Sequence, residues 1–254
     1  MEKEALKRIF NFLEEKGEHI IPLPVKINLA MPIAKEDLTV KGDLNLRNTN
    51  ITSLPEGLKV GGDLYLSNSK ITSLPDDLQV GGSLNLSYSE ISSLPKGLKV
   101  NGNLSLTSSK ITSLPEGLKV GGYLSLSHTN VTSLPKGLKV RGYLSLSYTK
   151  ITSLLEDLKV VGSLYLDYSF IKSLPKGLKV GGDFNLAGSK ITSLPEGLKV
   201  GDDLSLYKTK ITLLPKGLEV GRSLFIRNTP LEDYTNEELR DMINPGFIKG
   251  DIIR

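Results

Sequence analysis

The chain has 254 residues, 39% of them apolar and 24% charged, with no Cys, no Trp and two His, a composition typical of folded globular or repeat proteins. Lys plus Arg outnumber Asp plus Glu by 32 to 28, and the resulting net charge of +4 falls well short of a histone-like polyanion binder. Without cysteine, a disulfide framework, a thiolate metal site and a thiol nucleophile are all excluded, and a reducing compartment fits.

Residues 3–16 place Leu6, Ile9, Phe10 and Leu13 at helical spacing, with Gly17 as the closing residue. Leu23, Val25, Ile27 and Leu29 then alternate, which predicts a leading strand. Residues 1–37 therefore read as an N-terminal cap of helix plus strand. The interspersed Glu and Lys of the first turns do not suit a signal peptide, and no apolar run is long enough to span a bilayer, so the expectation is a cytoplasmic chain with no membrane partner.

From residue 38 to 231 a 20-residue unit recurs ten times without insertion, its phase marked by Pro55, Pro75, Pro95, Pro115, Pro135, Pro175, Pro195 and Pro215, with Leu155 as the exception. Equal contour length lets such units stack in register, each covering the apolar edge of the last. Within a unit, Leu58 and Val60 alternate with Lys59, and Leu64 and Leu66 alternate with Asp63, Tyr65 and Ser67, so two short strands per coil are predicted. Leu58, Val60, Leu64, Leu66, Ile71 and Leu74 form the inward set. The glycine column through Gly62, Gly82 and Gly102 is expected to mark a corner whose backbone side chains oppose, and the Gly or Asp column at position 57 a left-handed turn. A Ser or Thr stands at position 69 and every equivalent, where its hydroxyl can satisfy a buried turn. Residues 232–254 read as a C-terminal cap, in which Thr235 with Glu238 starts a helix that runs to about Ile243, ahead of Pro245 and Gly246.

The stretch L-x-L-x-x-S/T-x-I-x-S-L-P, as in Leu64 to Pro75, resembles the leucine-rich repeat over residues 38–231. It departs from that pattern at Gly61, where a leucine is usual, and at the corner, where Ser or Thr replaces Asn. The recurring Leu-Pro is similar to the short LPX repeats of bacterial effectors, and the near-identical units are similar to repeat proteins of bacteria and their phages. The resemblance implies a repeat solenoid, mostly parallel β, with a helical N-terminal cap, a short C-terminal helix, and an exposed strand face that contacts a partner. The ubiquitin-ligase activity that some LPX effectors carry depends on a catalytic cysteine, which this chain lacks.

The residues support such a face independently. Positions 63, 65, 67 and 68 and their equivalents make up 40 residues, among which random scatter would place about 1.4 of the nine tyrosines, and eight lie there. They are Tyr65, Tyr88, Tyr123, Tyr143, Tyr148, Tyr165, Tyr168 and Tyr207, joined by His128 and Phe225, on a face otherwise rich in Ser, Asn and Asp. Tyrosine among small polar residues is recognition chemistry. The alternative is that the rings serve only as cross-strand pairs, worth roughly 0.2–1 kcal/mol each. Strand spacing predicts that Tyr123 stands beside Tyr143 and Tyr148 beside Tyr168.

These features predict a non-enzymatic scaffold that binds a protein. Nucleic-acid binding along the lysine columns at positions 59 and 70 is an alternative, as is capture of a small nucleotide-like ligand between tyrosines. No cofactor or metal is expected, because His19 and His128 share no ligand spacing. Asp43, Asp63, Asp167, Asp183 and Asp203 lie on an open ladder rather than in a pocket, which gives no acid–base pair.

Overall fold

The computed structural model describes residues 2–15 and 21–254. Each coil follows the period of its aliphatic residues. In one coil, Lys59–Val60 and Leu64–Tyr65 are strands separated by the Gly61–Gly62 corner, and an extended ITSLP arc returns the chain to the start. The predicted inward residues Leu58, Val60, Leu64, Leu66, Ile71 and Leu74 are all buried. With their equivalents they form one continuous core from Ile27 to Ile252.

Successive coils pair parallel and in register, as in Leu64 with Leu84 and Leu84 with Leu104. The result is an eleven-stranded sheet running from Leu44–Asn45 to Ile252–Ile253. The ladder through Lys59–Val60 is divided into six-stranded and four-stranded sheets, joined by isolated bridges at Val160. At the next turn the hydroxyl column bonds within its own coil, as where Ser69 Oγ donates to the Leu66 carbonyl at 2.7 Å and Thr149 Oγ1 to that of Leu146 at 2.6 Å; Ser109 and Ser189 are the exceptions, buried without a partner for their hydroxyls among the described residues.

The glycines of the corner are favoured for a reason other than the one expected, although Asp202 and Arg222 stand in the same column. Gly62 and its equivalents are not left-handed; a Cβ on Gly82 would lie 2.9 Å from backbone atoms of Gly62 and 2.2 Å from an Asp63 carboxylate oxygen. The neighbouring column is tighter still, with a Cβ on Gly81 falling 2.2 Å from the Gly61 carbonyl oxygen. Close stacking, not φ, selects glycine here. The ladder is least regular around the side chains in that second column: the Arg141 N–H reaches Val120 at 3.3 Å where Gly81 reaches Val60 at 2.8 Å, and the sheet breaks at the coil that carries Val161, after which Gly181 reaches Val160 at 3.2 Å. At position 57 the glycines are left-handed, as predicted, with φ of 77° at Gly57, whereas Asp77 and Asp157 are not. Asp77 instead accepts the Gly57 N–H at 2.8 Å.

At the N-terminus, α1 covers Glu2–Glu15. Gly17 and His19 lie outside the described residues, as do the side chains of Ile9 and Leu13. The predicted leading strand is a helix, α2, Leu23–Leu29. Pro24 suits its first turn, where the missing N–H is not needed. The two-residue apolar alternation misled because the helix is covered on two sides. Leu23 and Ile27, four apart, pack on the solenoid core, while Val25 and Leu29, also four apart, join a separate cluster with Ile21, Met31 and Phe10. The ammonium of Lys26, nearly buried, pairs with Asp37 at 2.8 Å.

At the other end α3, Asn236–Met242, begins with the predicted capping box: the Glu238 N–H donates to Thr235 Oγ1 at 3.2 Å, and the Thr235 N–H donates to the Glu238 carboxylate at 2.7 Å. That carboxylate is held below its ordinary pKa by the Thr235 N–H, then by the Thr235 hydroxyl. Strands Phe247–Ile248 and Ile252–Ile253 then extend both ladders by one step.

Candidate functional site

The long sheet turns positions 63, 65 and 67 outward, and position 68 follows in a turn. Two aromatic groups form in the middle of this face, both as strand spacing predicts. Tyr123 and Tyr143 stack with centroids 4.5 Å apart and planes 5° from parallel, and Tyr165 meets Tyr143 edge-on at 5.7 Å. Along position 68, His128 stacks on Tyr148 at 4.3 Å and Tyr148 on Tyr168 at 4.9 Å. The rings are not turned inward: Tyr88, Tyr148 and Tyr168 are 64%, 47% and 42% exposed.

The other four predicted residues stand apart from these groups. Tyr65 lies under the Arg47 guanidinium, 3.9 Å from the ring centroid, and its hydroxyl donates to Asp63 at 2.9 Å. Asp63 is held below its ordinary pKa, first by the Ser83 N–H and then by Tyr65, whose own phenol is raised by that carboxylate. Tyr207 neighbours Lys208, which lowers its phenol. Tyr88 and Phe225 stack on no other ring among the described residues. In the central group the Tyr143 phenol is raised, chiefly by desolvation and then by Tyr123 and Tyr165.

Between the two aromatic groups runs a strip of hydroxyls. Short bonds cross from coil to coil: Ser87 to Ser105 at 2.6 Å, Thr107 to Ser125 at 2.8 Å, Ser127 to Ser145 at 2.6 Å, and Ser147 to the Asp167 carboxylate at 2.5 Å. Contacts of 3.3–3.5 Å within each coil link them into one line. Ser125, Ser145 and Ser147 are buried, so the strip is a floor closed in by its neighbours.

Two features of this face escaped the sequence reading, and both bear on what the rings cost. The first is that position 68 is left-handed in every coil, with φ of 58° at Tyr88 and His128, 57° at Tyr148 and 53° at Tyr168. Asn48, Asn68, Gly188 and Asn228 in that column were the available signal, since Asn and Gly tolerate this region best. An ordinary side chain there costs roughly 1–2 kcal/mol.

The second is a ladder of acceptors at position 63. Asp43 Oδ1 accepts the Asp63 N–H at 2.7 Å, Asp63 that of Ser83 at 2.6 Å, Ser83 Oγ that of Asn103 at 3.1 Å, and Asn103 that of Tyr123 at 3.0 Å. The series resumes at Ser163, Asp183 and Asp203. Tyr123 and Tyr143 interrupt it: among the described residues, no side chain accepts the N–H of Tyr143 or Ser163. The aspartates of this column are thus coil-to-coil fasteners.

Among the described residues, no group of three or more His, Asp or Glu could hold a metal, and no helix is long and apolar enough to cross a membrane. No family model and no curated protein matches the chain. The fold does match solved structures. A structure of YopM, a leucine-rich effector protein from Yersinia pestis, aligns over 89% of this chain and 71% of its own, with a TM-score of 0.54 and 14% identity. A leucine-rich repeat protein of Leptospira interrogans aligns over 81% of this chain and 83% of its own (TM-score 0.33, 20% identity), and YopM from Yersinia enterocolitica over 89% and 69% (TM-score 0.29, 16% identity). The chain has the leucine-rich-repeat fold: a parallel-strand solenoid of 20-residue coils with a helix at either end.

Proposed function

We propose that this solenoid is a non-enzymatic scaffold that binds a protein partner through its ring-bearing strand face. One observation carries the reading: aromatic residues occupy positions that the backbone would fill more cheaply with something else. Tyr123 and Tyr143 stand where Asp, Asn or Ser fasten neighbouring coils, and His128, Tyr148 and Tyr168 stand in left-handed backbone suited to Asn or Gly. A stacked pair returns only about 0.5–1.5 kcal/mol, close to what the left-handed backbone costs, so stability alone is a weak reason for these rings. Sites that break local rules in this way are where function is found.

Flat rings beside Ser and Asn suit a protein surface, where tyrosine supplies contact area at low entropic cost. The stacked pairs at 4.3–4.9 Å already fill the space that a planar ligand would need between them, which favours a surface partner over a small nucleotide-like ligand. A cytoplasmic setting and a bacterial or phage origin belong to the same proposal. They rest on the absence of cysteine and on the near-identity of the coils.

The test replaces Tyr123, Tyr143, Tyr148 and Tyr168 by Ala and compares affinity capture from a host lysate by mass spectrometry. Loss of a partner that the parent chain retains, with an unchanged circular dichroism spectrum, supports the reading. Equal capture by a folded variant rejects it.

A further inference from the structure

Around the glycine corner from the tyrosines, the ladder of position 59 carries Lys99, Lys119, Lys139, Lys159, Lys179 and Lys199, all exposed. Register forces direct juxtaposition, with Lys99 beside Lys119 and Lys119 beside Lys139, roughly 4.8 Å apart along the sheet. Lys199 is relieved by Glu219 at 2.6 Å. None of the others forms an ion pair among the described residues.

At Lys99, Lys119 and Lys139 the ladder borders an open groove of about 370 Å³, completed by Asn101, Gly121 and Arg141 and lined by no carboxylate. The adjoining groove toward the N-terminus shares Lys99 and Asn101 with it but is also lined by Asp76 and Asp77, so the carboxylate-free part is the stretch around Lys119, Lys139 and Arg141. Its shape comes from the corner column. Gly121 can carry no side chain, since a Cβ would lie 2.0 Å from the Asn101 carbonyl oxygen. It therefore forms a notch between two longer side chains, Asn101 and Arg141.

Those two residues, like Lys41 and Val161, depart from the glycine that this column holds at 61, 81, 121, 181, 201 and 221. They carry a structural cost. The backbone bond at Arg141 is 3.3 Å long, and within this ladder the strand before Asn101 pairs with the previous one only through Val80 and Val100, although the same two coils pair fully in the long sheet. What points to an anion is the donor set: a guanidinium and an amide placed beside three lysines in a groove without a carboxylate.

We infer that this groove binds an anion carrying several linked phosphates, with the Arg141 guanidinium and the Asn101 amide gripping oxygens on either side of the Gly121 notch and the three lysines neutralising the charge. The site is separate from the tyrosine face, and it stands or falls independently of the protein-binding proposal.

The experiment is isothermal titration calorimetry of the full chain at low salt with inorganic triphosphate, a nucleoside triphosphate and orthophosphate. Both triphosphates should bind with one-to-one stoichiometry, and orthophosphate at least tenfold more weakly. Equal affinity for the two assigns recognition to the phosphate chain alone, while tighter binding of the nucleotide adds a contact to its remainder. The double variant Lys119→Gln, Arg141→Gln should lose at least tenfold, whereas Lys159→Gln, Lys179→Gln, on the same ladder but outside the groove, should lose less than twofold. Asn101→Gly should weaken binding several-fold while raising the melting temperature, which separates a binding loss from a folding loss.

Three results would overturn the inference: no binding by the parent chain, equal losses in the two double variants, or binding of a single-stranded oligonucleotide that triphosphate fails to displace. The last would make the ladder a track for a nucleic-acid backbone, with a steep salt dependence.

Discussion

Tyr148 and Tyr168 stack with ring centroids 4.9 Å apart while both hold left-handed backbone, with φ of 57° and 53°. Tyr88 shares that backbone, with φ of 58°, but has no ring beside it and is 64% exposed. The two sites therefore separate strain from stacking. Tyr88→Asn should stabilise the protein by about 1 kcal/mol, raising the melting temperature by about 2–4 °C. Tyr148→Asn should leave stability unchanged or lower it by up to about 2 kcal/mol, since about 1 kcal/mol of relieved strain is set against two lost stacks of about 0.5–1.5 kcal/mol each. Differential scanning calorimetry of the two variants decides; a destabilised Tyr88→Asn would mean that the left-handed ring carries no strain.

What was legible in the sequence was whatever repeats in one dimension. The inward set Leu58, Val60, Leu64, Leu66, Ile71 and Leu74 follows from alternation and the fixed period, and its equivalents form the core, with Leu38, Val40 and Leu174 only partly buried. The neighbour relations of Tyr123 with Tyr143 and of Tyr148 with Tyr168 followed from the fixed period. The helix Leu23–Leu29 was hidden because contact on two sides imitates a strand pattern. The role of Asp43 and Asp63 as fasteners was hidden for another reason, namely that an acceptor for the next coil's N–H exists only once coils are stacked. The left-handed column was obscured because the aromatics at 88, 128, 148 and 168 are residue types that argue against it.

Two glycines test the two reasons for glycine in this fold. A Cβ on Gly201 would fall 1.9 Å from the Gly181 carbonyl oxygen, whereas a Cβ on Gly97 meets nothing within 4 Å but must accept a φ of 82°. Gly201→Ala should cost about 1–3 kcal/mol by forcing coils apart, and Gly97→Ala about 1–2 kcal/mol through its backbone alone. The distinguishing readout is hydrogen exchange. The first variant should speed exchange at the Gly201 and Gly221 amides that bond the preceding coils, and the second should leave those amides unchanged. Equal protection in both variants would remove the stacking explanation.

At the C-terminal edge of the four-stranded ladder a side chain covers two carbonyls. Within the solenoid, the carbonyls of Val220 and Arg222 accept the N–H groups of Lys249 and Gly250 at 3.0 and 2.8 Å. The corresponding carbonyls of the last coil, Ile248 and Gly250, accept instead from the Arg240 guanidinium at 2.6 and 3.2 Å. Open edges invite strand addition by another chain. Arg240→Ala should therefore raise self-association with concentration, as read by size-exclusion chromatography with light scattering. A variant no more associated than the parent chain would show that the edge needs no such cover.

The claim that the ring-bearing face is the docking surface is tested most directly by placing a photo-crosslinking amino acid at position 148, among the stacked rings, and in a separate protein at position 156, on the exposed opposite arc of a coil. After irradiation in host lysate, the account predicts a discrete protein adduct from position 148 and none from position 156. An adduct from position 156 with none from position 148 would contradict it.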